Sequence, residues 1–187
     1  VVRLLPPAFF HRPAEVVARD LLGCRLESRI GGVTTGGRII ETEAYLGVAD
    51  PASHAFRGRR NAQNASIYSA PGTWYVYRSY GIHWCINLVT APEGAGAAVL
   101  VRAIAPEVGA EVMRRRRGGR HGADLTGGPG KLAQALGVDR TLDGQSMMAS
   151  AVVVLEGERV PDARVQVTPR IGITKGVEAG LRFVVVP

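Results

Sequence analysis

The apolar positions of this chain change their period as it is read from end to end. From Pro13 to Leu22 they recur at helical spacing, with proline at the start and Gly23 at the stop, which predicts a short helix. Alternation takes over at Arg25–Ile30 and Arg38–Leu46, two predicted strands separated by the Gly31-Gly32 and Gly36-Gly37 pairs. Residues 47–72 show neither period and are rich in Gly, Pro, Ala and Asn. They read as one long loop, and a loop of that length inside a compact domain is usually functional or disordered. Thr73–Ser79 and Ile82–Thr90 alternate again on either side of Tyr80-Gly81, a tight turn. Ala97–Ile104 is apolar enough for an interior strand, and Pro106–Arg117 fits a helix that ends in four consecutive arginines. Gly118–Gly128 is a glycine-rich loop, Pro129–Leu136 a helix stopped by Gly137, and Ala151–Glu156, Arg164–Thr168 and Leu181–Val186 are further strands. With no repeat, low-complexity tract or linker, residues 1–187 read as one α+β domain, a curved and largely antiparallel sheet with short helices around it.

Composition narrows the class. At 187 residues, 46% hydrophobic and 21% charged, the chain is globular and long enough to bury a sizeable core without disulfide or metal support. Cys24 and Cys85 are the only cysteines, no apolar run approaches the ~20 residues of a membrane span, and no signal peptide opens the chain. A cytoplasmic protein with no membrane partner, no metal and no cofactor is the expectation. The net charge of +7 suggests a polyanionic partner, but its placement says more than its size. Between Pro51 and Pro92 there is no Asp or Glu, while Arg57, Arg59, Arg60 and Arg78 all fall there. Eight aromatic residues crowd between Tyr45 and Trp84. Only Lys131 and Lys175 among the 23 basic residues are lysines, and arginine is the better bidentate phosphate binder.

Candidate chemistry sits on either side of this basic stretch. In Glu41-Thr42-Glu43-Ala44-Tyr45, alternation places Ile39, Glu41, Glu43 and Tyr45 on one strand face. That is either a solvated edge strand with two surface acids or a carboxylate held ionised beside a basic cleft, as a general base must be. Trp74 to Tyr80 puts Tyr75, Tyr77 and Ser79 on one face and Trp74, Val76 and Arg78 on the other. Tyr80 falls at the turn, where a large aromatic has little core to enter and suits wedging between bases. His54 lies in the long loop, and none of the histidines has metal-ligand spacing. His83, Cys85 and His121 read as ordinary hydrogen-bonding residues, with a Cys85 nucleophile and His83 base as a minor alternative. Gly127-Gly128-Pro129-Gly130-Lys131 fails the phosphate-loop pattern at Leu125 and Leu132, yet suits a single phosphate oxygen at a helix start.

Arg38-Ile39-Ile40-Glu41-Thr42-Glu43-Ala44-Tyr45-Leu46-Gly47, Ser53-His54 and Tyr75-Val76-Tyr77-Arg78-Ser79-Tyr80-Gly81 resemble the alkyladenine (3-methyladenine) DNA glycosylase family. Cys85-Ile86-Asn87, Val101-Arg102-Ala103, Gly128-Pro129-Gly130-Lys131-Leu132 and Arg170-Ile171-Gly172-Ile173 continue the resemblance in order, as does Pro6-Pro7-Ala8-Phe9-Phe10 near the start. The resemblance implies a monofunctional enzyme that flips alkylated or deaminated purines out of double-stranded DNA and hydrolyses the glycosidic bond. By position it makes Glu43 the general base and Arg102 its partner in placing the water. It puts Tyr45 and His54 on one wall of the base pocket, Tyr77 on the other and Asn87 at the floor. Tyr80 becomes the intercalating wedge, and Arg57, Arg59, Arg60, Gly130 and Lys131 become backbone contacts. The chain departs from the family pattern at Arg60-Asn61-Ala62-Gln63-Asn64, where Gln63 replaces an arginine, and at Ile67-Tyr68. Family members also continue beyond the position of Arg182-Phe183 with a segment that adds a pocket wall. Neither Lys131 nor Lys175 lies in the pocket motifs, so a Schiff-base lyase activity is not expected.

Two other readings compete. One is a nucleic-acid-binding module without catalysis, built on the arginines and tyrosines. The other is a glycoside hydrolase using Glu41 and Glu43, although carboxylates two apart on a strand lie on one side of a substrate rather than flanking it. The expectation is a monomer acting on damaged duplex DNA.

Overall fold

The computed structural model describes residues 3–187. Helices α1 (Pro7–Phe10) and α2 (Ala14–Asp20) lead into β1 (Arg25–Ser28) and β2 (Thr35–Tyr45). After the long loop come the hairpin β3 (Trp74–Ser79) and β4 (His83–Thr90), then β5 (Ala97–Val108). The chain continues through α3 (Ala110–Arg116), α4 (Ala123–Thr126) and α5 (Pro129–Leu136) to β6 (Val152–Leu155), β7 (Val165–Thr168) and β8 (Arg182–Val185). Every strand pair is antiparallel, in the order β3-β4-β5-β2-β1-β6, with β8 also pairing β2 and carrying β7. The sheet curls into a half-barrel, so the fold is the α+β architecture expected.

The two faces of the sheet bury different things. On one, Val17 of α2, Leu21 just after it, and Leu132 and Leu136 of α5 pack with Ile39, Val76, Ile86, Leu88, Val99 and Val101. On the other, Ala55, Ile67 and Tyr68 from the long loop pack on Tyr75, Val89 and Ala98. Strands covered on both sides read as apolar runs rather than alternating ones, which is why Ala97–Ile104 looked interior. Alternate residues of β3, β4 and β5 belong to the two clusters, and the open part of the second face becomes the site.

Three expectations are corrected here. Gly36-Gly37 does not separate strands but lies within β2, which pairs with a longer β5. A side chain on Gly37 would collide with the Ala105 carbonyl oxygen, so glycine is what admits the far end of β5. That end carries Pro106, paired with Gly37, so the residues read as the first turn of a helix are strand. The helix begins only at Ala110, after Gly109 turns the chain at φ 68°.

The third correction concerns faces. Ile39 pairs with Ile104, Glu41 with Ala103 and Thr42 with Val101, so Ile40 on β2 and Arg102 on β5 are each one residue extra at the same level. The strand parity therefore reverses. Ile39 is in the core together with Ala44, and the Thr42 hydroxyl donates to the Ala18 carbonyl of α2 at 2.8 Å. Glu41, Glu43 and Tyr45 are left on the opposite face without Ile39. Strict alternation would have driven Glu43 into the apolar core.

Candidate active site

Glu43 is completely buried, and three groups hold its carboxylate. The Tyr45 hydroxyl donates to Oε2 at 2.8 Å, the Ile171 backbone N–H donates to Oε1 at 2.8 Å, and Arg102 Nη1 lies 3.3 Å from Oε1. Burial and the adjacent Glu43 charge push the Tyr45 phenol far above its usual value, so it stays protonated and remains a donor. Arg102 reaches this position from the irregularity in β5 that faces Glu41. Its Nε donates to Glu41 Oε1 at 2.7 Å, and Arg182 Nε, from β8, donates to the same oxygen at 2.7 Å. Burial alone would lower the Arg102 guanidinium, but Glu43 and then Glu41 hold it above its ordinary value. A buried carboxylate costs several kcal/mol unless paired and hydrogen-bonded, and here each of these acids is.

In front of Glu43 opens a cleft of about 960 Å³. Tyr45, His54, Tyr75, Tyr77, Asn87 and Arg102 line its inner part. Arg59, Arg78, Arg140 and Lys175 lie around it, and no carboxylate is among the lining residues. The acid-free stretch of sequence has become an acid-free concave surface. Lys175 was not expected there, and it comes in with the segment 171–175 that follows Arg170.

The His54 ring packs edge-on against Tyr77, with centroids 4.5 Å apart, and Nδ1 lies 2.7 Å from the Tyr75 hydroxyl. His54 thus contacts Tyr75 and Tyr77 directly, and all three line the cleft with Tyr45. Asn64 is the local cause: its side-chain amide donates to the carbonyls of His54 and Arg59, folding the loop down onto β3. Desolvation of the ring where it packs on Tyr75 and Tyr77, and then the Arg59 charge, lower the His54 imidazole below its ordinary value, which keeps it neutral near pH 7. Asn87 is buried and lines the cleft, its amide donating to the Tyr75 carbonyl at 3.1 Å. Burial raises the Cys85 thiol, and His83 is exposed, so the minor cysteine-nucleophile reading finds no thiolate to rest on.

Tyr80 is 87% exposed at the hairpin tip, beside the cleft, with φ 50° next to Gly81 at φ 65°. The turn requires positive φ at both residues, and this pushes the tyrosine outward instead of back onto the sheet. Of the arginines expected at the DNA backbone, Arg59 lines the cleft, Arg57 is exposed in the loop, and Arg60 stacks over the Tyr68 ring at 3.7 Å. Gly130 lets α5 abut the hairpin, since a Cβ there would lie 2.7 Å from that of His83. Lys131 pairs with Asp124 at 2.5 Å.

Sequence reasoning missed Tyr75 as the partner of His54 and gave no part to Asp50, Arg170 or Arg182. The segment 170–173 was within the motif matches, but nothing in its composition shows that it folds back onto Glu43.

Comparison with known proteins now sets the class. Residues 8–186 match the family model described as methylpurine-DNA glycosylase. A protein of Salinibacter ruber is 46% identical over 97% of this chain and 92% of its own length. One from Methanoculleus marisnigri is 47% identical over 96% and 93%, and one from Carboxydothermus hydrogenoformans 40% identical over 96% and 94%. All three bear the name "Putative 3-methyladenine DNA glycosylase". This chain is a DNA glycosylase, a hydrolase of DNA repair whose macromolecular partner is DNA. It belongs to the methylpurine-DNA glycosylase family. Among the described residues no helix is long and apolar enough to cross a membrane.

Proposed function

We propose that the protein flips alkylated or deaminated purines, 3-methyladenine among them, out of duplex DNA and hydrolyses the bond between base and sugar with a water activated by Glu43. The observation that carries this reading is the pairing of a sealed, arginine-bound carboxylate with a basic cleft walled by aromatic rings. Extruding a base costs a few kcal/mol and is cheapest for damaged or badly paired bases. Tyr80 fills the vacated space in the stack. The flipped base lies between Tyr45 and the wall of Tyr77 and His54, with Asn87 at the floor beside the position of a purine 2-amino group.

In this reading water enters through the cleft and takes the place of the Tyr45 hydroxyl on Glu43 Oε2, with Arg102 beside it. Its oxygen bonds to the sugar C1′, its proton passes to Glu43, and the base leaves with the bonding electron pair. A purine alkylated at N3 or N7 is cationic, so departure neutralises it, and electron-rich rings favour holding it beforehand by about 1–2 kcal/mol when desolvated. Arginines supply most of the affinity through phosphates. The protein acts as a monomer, in the cytoplasm.

Glu41 is not a second catalytic carboxylate in this scheme. Both arginine contacts fall on its Oε1, and it lies on the same strand face as Glu43, so the two-carboxylate sugar hydrolase reading loses its geometry. Lys175 at the cleft makes the lyase question concrete, and hydrolysis by water predicts no covalent adduct. The reading is tested by incubating duplexes that each carry one lesion with the protein and measuring released base, with borohydride added in parallel. Release of free methylated purine without a trapped protein–DNA adduct supports it. A trapped adduct, or no release from any lesion, overturns it.

A further inference from the structure

Asp50 and Arg170 are 120 residues apart in sequence and almost completely enclosed, with side chains 3% and 1% exposed. Arg170 Nη1 donates to Asp50 Oδ2 at 2.5 Å and Nη2 to Oδ1 at 3.0 Å, a two-pronged pair. The same guanidinium donates to the Ala44 carbonyl at 3.0 Å and stacks over the Tyr45 ring, 4.7 Å from its centroid. Asp50 accepts in addition from the backbone N–H groups of Leu46 and Ala52, each at 3.0 Å. The residue following Arg170 is Ile171, whose N–H is on Glu43.

We propose that Asp50 and Arg170 are positioning residues, a buried clamp that sets the plane of Tyr45 and holds the Ile171 N–H on Glu43. The proposal rests on the roles given above to Glu43 and Tyr45. Tyr45 has one face toward the cleft, where a base must stack, and the guanidinium backs the ring from elsewhere. The clamp joins three pieces of chain: the end of β2, the start of the loop that carries His54, and the segment 170–176. A buried ion pair is a weak source of stability, because desolvation offsets much of its attraction. Its placement behind the pocket wall is a more specific use. Lysine would keep the charge but not the planar stack or the two-pronged pairing.

The test compares Arg170→Lys and Asp50→Asn with the unaltered chain on a duplex methylated with dimethyl sulfate. Release of 3-methyladenine is followed in a single turnover at saturating enzyme. Active enzyme is titrated separately by the amplitude of stoichiometric binding to a duplex bearing a tetrahydrofuran abasic-site analogue, which places no base in the pocket, and affinity is measured on the same duplex. The expected result is a rate per active enzyme lowered about 10- to 100-fold, the scale set by an ångström of misplacement, with amplitude and affinity within about twofold. Rates per active enzyme unchanged in both variants, or a loss confined to amplitude, overturn the proposal and leave the pair a structural cross-link. Asp50→Asn keeps the side-chain volume and an acceptor oxygen, so it decides the matter alone if Arg170→Lys does not fold. An unaltered chain that releases no methylated purine defeats the reading of the site itself, which is a different outcome.

Discussion

The Tyr45 hydroxyl donates to Oε2 of Glu43 from two positions along the same strand, at 2.8 Å. The ring that walls the pocket and the carboxylate beneath it are thus one hydrogen-bonded unit. In the proposed reading, a base stacked on Tyr45 would act on Glu43 through this one bond until water displaces the hydroxyl. Glu43 has no exposed surface, so in the proposed mechanism water must displace this hydroxyl to reach it.

Glu43→Gln can keep its carbonyl oxygen on the Ile171 N–H while its amide N–H donates to the Tyr45 hydroxyl oxygen, so the variant folds and binds. It cannot take a proton from water. Base release in a single turnover falls by roughly 10²- to 10⁴-fold, the range of a positioned general base, while affinity for a lesion duplex is retained. Normal release by this variant would refute the mechanism.

Tyr80→Ala alters a residue that is 87% exposed, so the melting temperature stays put. What changes is the flipped state, which loses a stacking contact of about 1–3 kcal/mol. Fluorescence of 2-aminopurine placed beside the lesion should rise less on binding, and affinity should drop about tenfold or more. An unaffected fluorescence rise would exclude the wedge role.

Five cationic side chains, Arg59, Arg78, Arg102, Arg140 and Lys175, line the cleft with no carboxylate among the lining residues. If the four outer ones each displace a counterion from duplex DNA, log Kd changes with log salt by about 3–4. Arg140→Ala and Lys175→Ala should each reduce that slope by about one. A slope near zero would mean that phosphate contacts lie elsewhere.

His54 provides a pH dependence with a definite sign. Its imidazole is lowered from 6.5 when folded, chiefly by desolvation of the ring against Tyr75 and Tyr77 and then by Arg59, so below that pH the unfolded chain binds more protons. The contribution to stability is complete above pH 6.5 and is lost as the pH falls through the lowered folded value. Denaturant midpoints measured between pH 7.5 and 5 should decline more for the natural chain than for His54→Gln. Equal declines would show that the imidazole titrates normally.

Gly37→Ala tests why the sheet can be assembled at all. The added methyl meets the Ala105 carbonyl oxygen, so β2 and β5 must separate where they cross. A loss of about 1–3 kcal/mol or more is expected, read as a melting temperature lower by several degrees.

How much of this was legible in the sequence depends on the range of the interaction. The hairpin around Tyr80-Gly81 and the two faces of β3 are local matters of period and turn chemistry, and they stand as read. The pocket residues were named through motifs, yet His54 could not be placed against Tyr77 because Asn64 pulls the loop down from ten residues away. The false first turn at Pro106 reflects a neighbour: Gly36 and Gly37, far back in the chain, leave room for a strand there, and the helix starts only at Ala110. Asp50 and Arg170 carry no local signal, since their meaning comes from meeting each other.

The paired irregularity in β2 and β5 has an evolutionary corollary. If Ile40 and Arg102 were both deleted, Ile39, Glu41 and Thr42 would face Ile104, Ala103 and Val101 in an uninterrupted ladder, every core side chain still on its own side. As far as the sheet is concerned, those two residues are surplus. A single-residue deletion at either place would throw the two strands out of step, whereas the double deletion would spare the scaffold and remove the guanidinium beside Glu43. The architecture could exist without its chemistry, and one arginine too many for a regular sheet separates the two.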